Sequence, residues 1–210
     1  MAHGNSPHTV SIHTLDNDSL LHSFYLYRLP IFDGDEDHSN RVTGGMGWER
    51  ELWWYKLAHI CQRWRNLIFG SASYLGLCLV CTKGTPVANM LAHSPPFPII
   101  IDYPDKNSDI TAEDEEGIML ALEQRGRVRR IRFVDMPLLK LQKFIMAMNE
   151  DYPMLESLII SPSEDEVTAL MFPGTLQALH LLQLTLIGFV IPMGSRYSRL
   201  LWASSRSVFP

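Results

Sequence analysis

The sequence predicts an α/β chain in which an N-terminal helical module precedes a body of alternating strands and helices. Three observations predict it. A wide aromatic stripe at helical spacing runs from Trp53 to Ile68. Beyond Ser71 the pattern changes to short apolar runs separated by turn residues. The triad Val128-x-x-Ile131-x-Phe133 then recurs as Leu155, Leu158, Ile160 and again as Leu181, Leu184, Leu186, at offsets of 27 and 26 residues.

Composition narrows the classes. A chain of 210 residues with 46% hydrophobic and 20% charged residues is long and apolar enough to build a core over most of its length. Its net charge of −5 supplies no basic field, so nucleic acid is not an expected partner. The most apolar run, Leu181 to Ile191, is too short to span a bilayer and carries Gln183 and Thr185, so no membrane partner is expected. The N-terminus has no basic region followed by an apolar block. Three cysteines do not make a disulfide framework. A reducing compartment, cytoplasmic or nuclear, is the expectation.

Residues 1–13, with His3, His8 and His13, read as a disordered tail. Residues 14–70 form the expected helical module. Its first helix runs from Leu15 to Tyr27, capped by Asp16 or Asn17, with Asp18 at its positive end. Leu20, Leu21, Phe24 and Tyr27 form its apolar face, and Leu29-Pro30 stops it. Residues 30–47 read as a long acidic, then glycine-rich loop, without the closing glutamate of a calcium loop. The aromatic stretch follows as one helix ending near Gly70. Trp53, Leu57, Ile60, Cys61, Trp64, Leu67 and Ile68 share its stripe, and Lys56, His59, Gln62, Arg63 and Asn66 lie away from it.

The body spans 71–194. Tyr74 to Cys81 alternates like a strand, Pro86 to Ala92 is a short helix capped by Thr85, and Phe97 to Tyr103 is a second strand. Asp114 to Gln124 is a helix with acid at its start and Gly126 beyond its end. Leu138 to Asn149 is another, with Leu138, Leu141, Phe144, Ile145 and Met148 on one face. The triads mark units of strand, turn and returning helix, and their period lies in the range of about 20–29 residues of irregular leucine-rich-repeat-like units. Such units stack into an α/β solenoid because none buries its apolar side alone. An ordinary α/β segment with evenly spaced strands is the competing reading. Residues 195–210 form an irregular Ser- and Arg-rich tail without a capping unit, so the array reads as truncated at its C-terminus.

The reactive residues give no enzyme signature. Cys78-x-x-Cys81 lacks the second pair of a zinc site, and packed strand cysteines are the better account. His59 and Cys61 diverge on a helix. No nucleophile elbow, phosphate loop or His-Glu-x-x-His motif is present. The acids from Glu113 to Glu116 complement a helix dipole. Arg125, Arg127, Arg129, Arg130 and Arg132 form the one basic cluster, either a receiver of acidic groups or a solvated strand face offset by nearby acids. Neither a catalytic residue nor a metal or other cofactor is expected.

Leu15 to Tyr27 and Leu57 to Leu67 resemble the two ends of an F-box, the latter through Ile60-Cys61-Gln62-Arg63-Trp64-Arg65. The stretch Leu79-Val80-Cys81-Thr82-Lys83-Gly84-Thr85-Pro86-Val87 is similar to a recurrent phrase of the F-box and leucine-rich-repeat proteins of mushroom-forming fungi. The resemblance reaches to about Gly194. It implies an F-box-type substrate-receptor subunit that binds a Skp-type adaptor and, through it, a cullin scaffold, while the body presents a protein substrate for ubiquitination. Leu15, Leu20, Leu21, Phe24, Leu57, Ile60, Cys61, Trp64, Arg65 and Leu67 would be its adaptor-binding or core residues. Asp16, Ser19 and Ser23 stand where that family's pattern has a proline and two aliphatics. The alternative is a non-catalytic interaction scaffold, or a decayed paralogue, without adaptor binding.

Overall fold

A computed structural model describes residues 14–28, 52–104, 110–163, 170–171 and 176–190. The expected tails at 1–13 and 195–210 and the loop at 30–47 lie outside the described residues. Contacts divide the chain into two compact units, with the division between Leu77 and Cys78.

The first unit is helical. Helix α1 (Asn17–Arg28) starts where the sequence places it: Asp16 accepts the Ser19 N–H and hydroxyl, each at 2.8 Å, and its carbonyl accepts the Leu20 N–H. Those bonds lower the Asp16 pKa, the Ser19 N–H most. Leu20 and Phe24 are buried, whereas Tyr27, expected on the same face, is exposed.

The aromatic stretch is not one helix. It divides into α2 (Trp53–Ala58) and α3 (Gln62–Gly70), with Cys61 extended between them. Two interactions make the break stable. The Cys61 carbonyl accepts the Arg65 N–H as the first bond of α3, and Arg65 Nε donates to the Ala58 carbonyl at 3.1 Å, covering an end group of α2. The stripe is therefore re-phased. Trp54, Ala58, Trp64 and Ile68 go inside, Trp53, Leu57, Cys61 and Leu67 are half-buried, and Ile60 is 58% exposed.

Helix α4 (Ala72–Leu75) replaces the first part of the expected strand from Tyr74 to Cys81. Gly76 ends it at φ 61°, and the Leu77 N–H returns to the Ala72 carbonyl. A Cβ at position 76 would stand 2.8 Å from the Arg28 guanidinium. Glycine is favoured there by the left-handed conformation, whereas the guanidinium, at the end of a flexible side chain, could move aside.

The second unit is a parallel sheet with helices. Strand β1 (Leu79–Cys81) pairs with β2 (Ile99–Pro104), β2 with β3 (Val128–Met136), and β3 with β4 (Ser157–Pro162). Past the short β5 (Leu170–Met171), β6 (Gln183–Leu186) pairs with β4. Strand order thus follows sequence order, β1-β2-β3-β4-β6. Strands β5 and β7 (Phe189–Val190) make a separate parallel pair.

The recurrent triads lie in register. Cys81, Ile101, Ile131, Leu158 and Leu184 form one rung, and Tyr103, Phe133, Ile160 and Leu186 a second. All but Leu186 are buried. Each fully buried side chain of this kind contributes about 1.5–3 kcal/mol.

Helix α5 (Val87–His93) starts one residue later than expected. Pro86 takes the cap position, while Thr85 Oγ1 accepts the Thr82 N–H and closes the preceding turn. Helix α6 (Ala112–Glu123) packs against α5, where Gly117 leaves room for Val87, and against β1 and β2. Helix α7 (Leu138–Ala147) packs on β3, with the Phe133 and Phe144 rings 5.4 Å apart. The expected strand–turn–helix unit is met between β3 and β4. Between β4 and β6 no helix occurs among the described residues.

Candidate functional site

Two surfaces carry the residues singled out in the sequence, one in each unit. In the helical unit, α1 and α3 meet through Phe24 and Trp64, whose rings pack edge to face at 4.9 Å. Arg63 ties the start of α1 to α3: its guanidinium donates to the Leu15 carbonyl and, at 3.0 Å, to Asn17 Oδ1.

Sequence alone does not divide the ten candidate residues between core and surface, whereas burial does. Leu20, Phe24 and Trp64 are core; Leu15, Leu21, Leu57, Cys61 and Leu67 are half-buried; Ile60 and Arg65 are exposed. Arg65 reaches back to Ala58, so part of its role is to hold the α2–α3 corner. Sequence reasoning missed Trp54, buried against the Phe69 ring at 5.9 Å, because a single uninterrupted helix placed it off the stripe. It also missed the exposed aromatics Tyr55 and Tyr74.

Ser19 and Ser23 are both exposed. Ser19 belongs to the α1 cap, and the Ser23 hydroxyl donates to the Ser19 carbonyl at 2.8 Å. Neither serine removes apolar area from the core of this unit.

In the second unit, the face of the sheet opposite Ile131 and Phe133 carries mixed side chains. One rung is Ile100, Arg130, Ser157 and Gln183; the next is Asp102, Arg132, Ile159 and Thr185. Ser157 Oγ donates to Gln183 Oε1 at 3.1 Å. Asp102 is buried, and Arg132 Nη1 stands 3.5 Å from its Oδ1. Burial raises the Asp102 pKa, and the adjacent Arg132 charge only partly opposes this.

The arginine cluster is offset by acids and carbonyls. Arg125 pairs with Glu150, Arg129 with Glu156 at 2.8 Å, and Arg132 with Asp102, while Arg127 donates to the Phe97 carbonyl. Two of the acids at the start of α6 are likewise structural. Asp114 forms a capping box with Thr111 and accepts the Gly84 N–H at 2.7 Å; Glu115 pairs with Lys140 and Lys143. Cys78 and Cys81 are buried free thiols, and burial pushes Cys81 up to about 12, far from a reactive thiolate.

Among the described residues no cluster of three or more His, Cys, Asp or Glu side chains could hold a metal, and no helix is long and apolar enough to cross a membrane. Compared with protein-family models, curated proteins and solved structures, the chain matches none.

Proposed function

We propose that this chain is a non-enzymatic F-box-type substrate receptor of a Skp–cullin–F-box ubiquitin ligase. The N-terminal helices bind a Skp-type adaptor, and an irregular leucine-rich-repeat-like solenoid body binds a protein target. The observation that carries the reading is the meeting of Phe24 and Trp64. The two stretches that resemble the ends of an F-box, far apart in sequence, form one small helical body. Its exposed Ile60 and Tyr55 supply apolar anchors of the kind a protein interface needs. The sequential parallel strands and their shared rungs support the solenoid part. The face bearing Arg132, Ile159 and Thr185 is the surface on which a target would sit.

A second reading, an interaction scaffold or decayed paralogue without adaptor binding, is favoured by Ser19 and Ser23. They make a polar outer face on α1, where an adaptor would need apolar contact.

Co-purification with a fungal Skp-type adaptor separates the two. Wild type is expected to form a stoichiometric complex that Ile60→Asp abolishes while leaving the circular dichroism unchanged, because Ile60 lies outside the core. A folded wild type that forms no complex overturns the ligase reading in favour of the scaffold.

A further inference from the structure

The helical unit contains a groove of about 600 Å3 between the start of α1 and the α3–α4 corner. That volume is within the range of small-ligand and side-chain sites, roughly 300–1,000 Å3. Two aromatic residues line it, and each is held by another ring: Phe69 lies 5.9 Å from Trp54, and Tyr74 lies 5.6 Å from Tyr25. The stretch between them is small and polar, Gly70, Ser71, Ala72 and Ser73. A Cβ at Gly70 would meet nothing within 4 Å, so the chain presents bare backbone to open space there. Asp18 adds a carboxylate that forms no ion pair among the described residues. Within the groove itself there is no cationic side chain to answer it.

Beside Leu21 and Ala72, the lining supplies two aromatic residues, two serines and one carboxylate. A planar cation satisfies all three together. A guanidinium stacks on an aromatic ring and donates in its own plane to a carboxylate and to hydroxyl oxygens. An ammonium matches only the charge. The groove is open along one side, which suits a side chain borne on an extended segment better than an enclosed small molecule.

We propose that this groove binds an arginine side chain presented by an exposed segment of a partner protein. Of the adaptor candidates Leu21 lines the groove, whereas Ile60, on which the adaptor test rests, does not.

The test is titration of N-acetyl-arginine amide, and of its neutral citrulline counterpart, into the isotopically labelled full chain, following amide shifts by NMR. The arginine compound is expected to give saturable shifts confined to Asp18 and to 69–74, weakening as salt rises. Citrulline is expected to give none. Asp18→Asn should weaken binding about tenfold by removing the charged acceptor. Tyr74→Ala should weaken it further by removing one of the two rings that line the groove, and the exposure of that ring lets the variant fold. Ile60→Asp should bind as wild type does, which separates this result from failure of the adaptor reading. Equal shifts with citrulline, undiminished binding in both groove variants, or no saturable shift at all would each overturn the proposal.

Discussion

The two units are held together in different ways. The helical unit has no strand among its described residues; its helices are joined by the Phe24–Trp64 ring contact and by side chains that reach across to backbone, Arg63 to Leu15 and Arg65 to Ala58. The second unit rests on repetition: the same apolar positions recur strand after strand, each seated on the one before. Loss of one ring from the helical unit removes the apolar contact between α1 and α3 and leaves the Arg63 bonds between them. Loss of one rung member leaves the backbone ladder on either side intact but opens a cavity that neighbours cannot collapse into.

The largest effect should come from Phe133→Ala. The ring is fully buried in the middle of its rung and lies against Phe144, so urea denaturation should register a loss of about 4 kcal/mol. Trp64→Ala should come next, at about 3 kcal/mol, because the indole is slightly exposed and part of its site can fill with water. Hydrogen exchange sharpens the contrast. Trp64→Ala should lose protection across 14–28 and 52–77, and Phe133→Ala across β2 to β4; a common loss in both variants would erase the distinction between the units.

Asp114→Asn should cost less, about 1–2 kcal/mol, since asparagine keeps one acceptor oxygen but turns the other into an NH2 donor, so the bond from Gly84 and those from Thr111 cannot all be kept. Burial works to raise the Asp114 pKa, but the bonds from Gly84 and Thr111 outweigh it and the net shift is downward. A carboxyl lowered on folding stabilises the protein fully above its unfolded value, near 3.8, and loses that contribution as pH falls through the folded value. Acid titration of stability should therefore be flatter in Asp114→Asn than in wild type below about pH 4.

Much of the second unit was legible in the sequence because spacing alone encodes it. A parallel strand buried on one face repeats an apolar residue at every second position, and a regular chain length between strands brings those positions into register. Ile131, Leu158 and Leu184 could be aligned on paper before their pairing was seen. The α1 cap was legible for a similar reason, since Asp16 and Ser19 bond locally. The corner at Cys61 was not. No proline or glycine marks it; what stabilises it is a hydrogen bond from Arg65, seven residues along, to Ala58. The phase error that followed put Ile60 inside and left Trp54 out. The strand expected from Tyr74 failed because Leu75, Leu77 and Leu79 alternate equally well across a helical turn closed by Gly76. The groove beside Asp18 was illegible because its members come from separate elements.

The order of the sheet bears on how the chain is made. In the five-stranded sheet each strand after β1 pairs with one that lies earlier in sequence, and none must wait for a later strand to be inserted between itself and its neighbour. As the chain leaves the ribosome, β2 meets a finished β1, and β3 meets a finished β2. Assembly of that sheet can keep pace with synthesis, and its growing edge at every moment is the newest strand, while the opposite edge stays at β1 throughout.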